Sequence, residues 1–135
     1  MNRDRVLRRA LWVSVPFNAG AALVFAFPAS ALGRLAGLPG AVPRVYCALL
    51  AFFVLLFGGA YAWLARAPGI DRPLVAFATI GKVGVFAIIC VLWALGDAPG
   101  RGVLIACGDF ALAGTFLWWL RATRAPAGAE RAERD

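Results

Sequence analysis

The sequence predicts an all-α integral membrane protein: an antiparallel bundle of four transmembrane helices, with a short interfacial helical turn between the first and the second. Three observations predict it. The 135 residues are 62% hydrophobic and only 16% charged, with mean hydropathy +0.78, whereas a soluble domain averages about 45–50% apolar and about 25% charged. The apolar residues are gathered into blocks, each near the length that crosses about 30 Å of hydrocarbon. The basic residues stand at the ends of those blocks, at the level of phospholipid headgroups.

The blocks are residues 11–27, 45–64, 74–95 and 103–120. At about 1.5 Å per residue they span roughly 25–33 Å. Helix is the conformation they require, because an open strand in lipid leaves its backbone unpaired. Residues 1–10 form a basic amino-terminal segment and residues 121–135 a tail rich in Ala, Arg and Glu, expected to be a fraying end of the last helix or disordered. Arg66-Ala67-Pro68-Gly69-Ile70-Asp71-Arg72-Pro73 breaks the second block from the third, and Gly96-Asp97-Ala98-Pro99-Gly100-Arg101-Gly102 breaks the third from the fourth. Both connections are short, so they join antiparallel neighbours. In the longer connection from Pro28 to Arg44, Leu32, Leu35 and Leu38 recur every three residues around Arg34. That pattern predicts a helical turn in the headgroup layer, ended by Leu38-Pro39-Gly40. Basic residues, an apolar run and Ala29-Ser30-Ala31 imitate a cleaved signal, and Arg8-Arg9 hints at a twin-arginine one. The run is longer than the usual 7–15 residues and carries Asn18 at its centre, so it reads as the first span.

Charge orients the bundle. One side would hold Arg3, Arg5, Arg8, Arg9, Arg66, Arg72, Arg121, Arg124, Arg131 and Arg134, and the other only Arg34, Arg44 and Arg101. The richer side is expected to be cytoplasmic, which places both termini inside a bacterial inner membrane. Trp12, Trp63, Trp93, Trp118 and Trp119 lie near block ends and read as interfacial anchors. The same bias accounts for the net charge of +7 without nucleic acid as a partner. The chain has no histidine, and its only methionine is Met1, which excludes haem held by His or Met, His-based metal sites and Ser–His hydrolysis. No nucleophile has an adjacent base, so an enzyme is not the expectation.

Two ionisable residues stand inside the apolar blocks, Lys82 and Asp109. Each alone would cost about 2.5–3.5 kcal/mol at mid-bilayer, so both should turn inward. Counted from the block ends, Lys82 lies roughly 12 Å and Asp109 roughly 16 Å deep, a difference that a lysine stem covers. A Lys82–Asp109 ion pair is predicted, direct or bridged by water. On the first helix Ser14, Asn18, Ala21 and Phe25 share a side; on the second, Cys47, Ala51, Val54, Gly58 and Tyr61 do. Asn18 and Tyr61, roughly 10 and 5 Å deep, are expected to join the pair in one polar slab. Pro16 should kink the first helix and free a carbonyl that needs a polar partner. Such residues can act as glue between helices, yet intramembrane charges mark functional sites by default. The expectation is a site that binds or passes a small ligand or ion. Cys47, Cys90 and Cys107 fall in the outer thirds of their helices and read as small packing residues. Cys107 stands about 200° around the helix from Asp109 and so faces away from it.

The order Phe17-Asn18, Gly20, Phe27-Pro28, Gly37-Leu38-Pro39, Gly59-x-Tyr61, Gly81-Lys82 and Gly108-Asp109 resembles a group of small four-helix bacterial membrane proteins that are loosely DoxX-like. The resemblance runs from about Arg9 to Leu120. It implies a four-helix bundle with Asn18, Tyr61, Lys82 and Asp109 at characteristic positions, and a role as membrane partner in a redox system. The other readings are a quinone or partner enzyme docked at an aromatic pocket around Trp93 and Phe110, and a small structural subunit of a membrane complex. A quinone is the one cofactor these readings admit. The partners expected are the bilayer and a second copy or another membrane protein.

Overall fold

The computed structural model describes residues 2–124. Five helices follow one another with no strand among the described residues: α1 Arg3–Ala26, α2 Ala31–Ala36, α3 Arg44–Arg66, α4 Arg72–Ala94 and α5 Gly100–Ala122. All but α2 are long and apolar enough to cross a membrane. The protein is a polytopic, lipid-embedded four-helix bundle, with α2 as the short turn between the first two spans.

All four spans begin earlier than hydropathy alone suggests, and α3 and α5 also end two residues later. The largest difference is at α1, which starts at Arg3 rather than near Leu11 and takes up the basic segment. Asn2 caps it, its side chain accepting from the Asp4 N–H at 3.1 Å. Helix continues past the apolar block because Leu7 and Leu11 are fully buried one turn apart, and arginine is a good helix former. It also runs unbroken through Pro16. At α4, Asp71 caps the amino end by accepting from the Leu74 N–H at 2.9 Å, with Pro73 in the first turn. The turn α2 starts at its Ser30 cap and ends at Gly37, not at Leu38-Pro39-Gly40. Gly37 has φ +84°, and the N–H groups of Gly37 and Leu38 bond back to Arg34 and Gly33 at 3.1 and 3.0 Å. This is the left-handed stop that glycine takes without strain. Leu32 and Leu35 of α2 face outward, as an interfacial turn requires.

α1 runs antiparallel to α3, α4 antiparallel to α5, and α1 also lies against α5. By contrast, α3 and α4 are joined by a short linker, yet no Cα pair between them comes within 8 Å. Their seam is bridged by side chains, chiefly the stacked rings of Phe57 and Phe77, 5.7 Å apart.

One end of the bundle gathers the start of α1, the end of α3, the start of α4 and the end of α5; we call it the terminal end. α2 and the α4–α5 turn lie at the other, the loop end. The core sits toward the terminal end: Leu7, Leu11, Tyr61, Leu64, Ala65, Val75, Ala78, Phe116 and Trp119. Trp119 therefore departs from the anchor role. It is buried, its indole N–H donates to Asp4 at 2.8 Å, and the Arg72 guanidinium lies 5.6 Å from its ring. The other four tryptophans are at least two-fifths exposed, as interfacial residues are; Trp12 carries the Arg66 guanidinium 4.7 Å above it.

Several arginines at the terminal end cap helices as well as face solvent. Arg8 donates to the Ala65 carbonyl at 2.6 Å and to that of Pro68 at 3.3 Å, where α3 ends. Arg72 donates to the Leu120 carbonyl at 2.9 Å and to Thr123, where α5 ends, and Arg3 donates to the Ala122 carbonyl. The last carbonyls of a helix lack intrahelical partners and attract cations. The tail beyond Arg124 lies outside the described residues.

Candidate functional site

The sequence-predicted pair forms directly. Lys82 Nζ lies 2.5 Å from Asp109 Oδ1, with Lys82 3% and Asp109 17% exposed. The longer helices set both groups deeper than the apolar blocks alone imply, roughly 15 Å from the start of α4 and roughly 20 Å from the end of α5. The lysine stem closes the difference. The antiparallel register of α4 and α5 holds from Arg72 beside Leu120, through Lys82 beside Asp109, to Ile89 beside Gly102.

Two aromatic rings complete the surroundings of the ammonium. The Phe17 centroid on α1 lies 5.4 Å from Nζ, and that of Tyr61 on α3 lies 5.1 Å away. A ring face attracts a cation within about 6 Å, more strongly where water is excluded. All four spans thus meet at Lys82: one carboxylate and two π-faces replace its hydration shell. Gly108 makes this closeness possible. A Cβ there would stand 2.7 Å from Cε2 of Phe17, so only glycine lets the ring seat against α5 beside Asp109.

Of the residues singled out in the sequence, Tyr61, Lys82 and Asp109 come together. Asn18 takes a different role. Its amide donates to the Val54 carbonyl of α3 at 3.1 Å, and its Cβ fits over Gly58, where an added methyl would sit 3.3 Å from it. Asn18 therefore fastens α1 to α3, and its partner is a carbonyl of α3 rather than one freed by Pro16. The α1 residue facing the ammonium is Phe17, one position earlier. Its signal in the sequence was Gly108, a gap next to the only carboxylate in the last span. No buried side-chain nitrogen or oxygen among the described residues lacks a hydrogen-bond partner.

The cysteines are free and unlike one another: Cys47 is buried, Cys90 half-buried and Cys107 exposed. Cys107 points away from Asp109, as helix geometry requires. Trp93 and Phe110 are both more than half exposed, and Phe110 packs on Phe86 at 4.6 Å, so the two do not enclose a pocket. An apolar crevice of about 40 Å³ does occur where α3 and α4 stand apart, lined by Phe57, Ala60, Tyr61, Leu64, Leu74, Phe77 and Ala78. Tyr61 is both its inner wall and a face of the lysine site. With this geometry in place, comparison of the chain with family models, with characterised proteins and with solved structures gives no match.

Proposed function

We propose that this protein is a small multi-pass protein of a bacterial inner membrane, both termini cytoplasmic, that binds or passes a small anion or a proton at Lys82–Asp109. The orientation rests on the arginines. The terminal end carries Arg3, Arg5, Arg8, Arg9, Arg66, Arg72, Arg121 and Arg124, against Arg34, Arg44 and Arg101 at the loop end, and basic flanks stay inside.

The observation that carries the functional reading is a desolvated ammonium on which every span converges. An ion pair of this kind adds little stability over a well-packed apolar pair, and neutral polar side chains join membrane helices as well. What the pair adds is exchangeable charge. An anion reaching the site replaces the Asp109 carboxylate on the ammonium, or a proton neutralises Asp109 and releases Lys82. Asp109, the more exposed partner, is the one that gives way.

Thermal unfolding of the protein in lipid nanodiscs, titrated with sodium nitrate, tests this. Nitrate should stabilise the wild type, stabilise Asp109→Asn more because its ammonium has lost its counter-ion, and leave Lys82→Met unmoved. An equal response from all three proteins ends the proposal. A redox-accessory role, implied by the DoxX-like resemblance, has the free thiols on its side, Cys107 being exposed. Thiol labelling and mass spectrometry address it: three cysteines unchanged by oxidant, and no quinone co-purifying, would remove its basis.

A further inference from the structure

We infer that the ligand of the Lys82 site is a monocarboxylic acid with a hydrocarbon chain, admitted from the bilayer between α3 and α4 in its neutral form. The inference rests on the anion-binding reading above and names its substrate class and route.

The route is the one seam where helix backbones stay apart. No α3–α4 Cα pair falls within 8 Å, and the crevice there is lined by apolar side chains and the Tyr61 ring. Its volume of about 40 Å³ is little more than one water's share of the liquid, about 30 Å³, so a chain enters only when the stacked Phe57 and Phe77 rings part. Phe77 is 58% exposed and can swing outward without disturbing the core. Behind the rings, Ala78 and Lys82 lie one helical turn apart on the buried face of α4, and Tyr61 borders both crevice and ammonium.

The walls of this route select the ligand. Apolar walls admit hydrocarbon and a neutral carboxyl group but oppose a bare anion, because charge in a low-dielectric setting lacks solvation. At the end of the route the ammonium favours a carboxylate. The two demands are met by one exchange. The O–H bond of the incoming acid breaks and its proton passes to Asp109, which becomes a neutral carboxylic acid; the ligand carboxylate takes the place of Asp109 on Lys82. No electrons move between groups, and the site stays net neutral throughout. Lys82 and Tyr61 are the titratable groups that face Asp109 here, while α1 presents the Phe17 ring.

Infrared difference spectroscopy on the full protein in nanodiscs, with octanoic acid labelled with carbon-13 at its carboxyl, reads the exchange directly. The expected result is a protonated-carboxyl band at the unlabelled position, from the protein, together with a labelled carboxylate band from the ligand. The unlabelled band should vanish in Asp109→Asn, and both bands in Lys82→Met. Ala60→Phe, which fills the crevice from a half-buried position, should weaken octanoate binding at least tenfold while nitrate still stabilises the protein. Bound octanoate without a protonated Asp109 overturns the proton hand-over. A response to nitrate or acetate with none to octanoate overturns the apolar route and leaves the anion site standing. If no anion response depends on Lys82, both readings fall together.

Discussion

The two ends of this bundle are built differently. Toward the terminal end the core is made of large side chains, with Leu7, Leu11, Val75 and Phe116 fully buried, and arginines tie helix to helix across it. Toward the loop end the buried side chains shrink to Ala22, Cys47, Ala51 and Ala106. Lys82 is the last buried residue of α4; from Val83 to Ala94 that helix is half-buried or exposed throughout. The ion pair thus marks the boundary between a packed half and an open one. In a bilayer, apolar surface gains little by leaving lipid for protein, so packing and polar contacts decide where helices adhere. The terminal half has both kinds of contact, and the loop half has little of either beyond the pair. A charge pair at such a boundary is held firmly from one side only, which suits a site that must open.

The pair itself should give the largest effect. Lys82→Met leaves a buried carboxylate without its partner, which destabilises a protein by about 3–5 kcal/mol. Asp109 keeps some exposure, so about 3 kcal/mol is expected, read from reversible unfolding in mixed detergent micelles. The double variant Lys82→Met with Asp109→Leu should regain most of that loss. A double variant as unstable as the single would show that the boundary is held by something other than the charges.

Phe116→Ala comes next. In a soluble protein a buried phenylalanine truncation costs about 3–5 kcal/mol. Here the unfolded reference keeps the side chain in hydrocarbon, so only the packing part is lost and roughly 2 kcal/mol is expected in the same assay. A negligible loss would mean that the terminal half is not the stable half.

The fold and half of the site were legible because lipid is an unforgiving solvent. Block length gave the spans, and the high cost of a lone charge gave the pairing of Lys82 with Asp109, since few other arrangements satisfy both. Helix ends were less legible. Hydropathy marks where lipid begins, whereas Arg3 to Ala10 are helical because Leu7 packs inward and Arg8 reaches the end of α3, which are tertiary facts. The partner of Asn18 was illegible for the same reason: a donor on α1 can reach several carbonyls, and Gly58, by admitting its Cβ, decides between them. Trp119 showed that nearness to a block end does not make an anchor when a carboxylate such as Asp4 is there to take the indole N–H. The splaying of α3 from α4 had no sequence signal in a linker that reads as a tight turn.

Arg72→Gln probes the polar ties of the terminal half. It removes the charge-assisted bond to the Leu120 carbonyl and the contact with the Trp119 ring. Hydrogen bonds to charged groups are worth about 1.5–3 kcal/mol, but a half-buried arginine leaves water to take over part of the role, so a loss of about 1 kcal/mol is expected. Arg72→Lys should recover little of it, because one ammonium cannot both reach the carbonyl and lie over the ring. Full recovery by lysine would assign the effect to charge alone and weaken the view of these arginines as caps.

The smallest effect should come from the loop half. Cys47 is 8% exposed, and its thiol lies 3.9 Å from the Val42 carbonyl, a weak contact at best. Cys47→Ala removes one sulfur atom from a seam where the neighbouring buried residue on α3 is only Ala51. The transfer term is absent for the same reason as at Phe116, and the space left is small. A change below about 0.5 kcal/mol is expected, since the penalty follows the cavity that remains. The contrast with Phe116→Ala is the sharpest form of the comparison. Equal losses at the two positions would mean that the loop half is as firmly packed as the terminal one, and that Lys82–Asp109 lies inside a uniform core rather than at its edge.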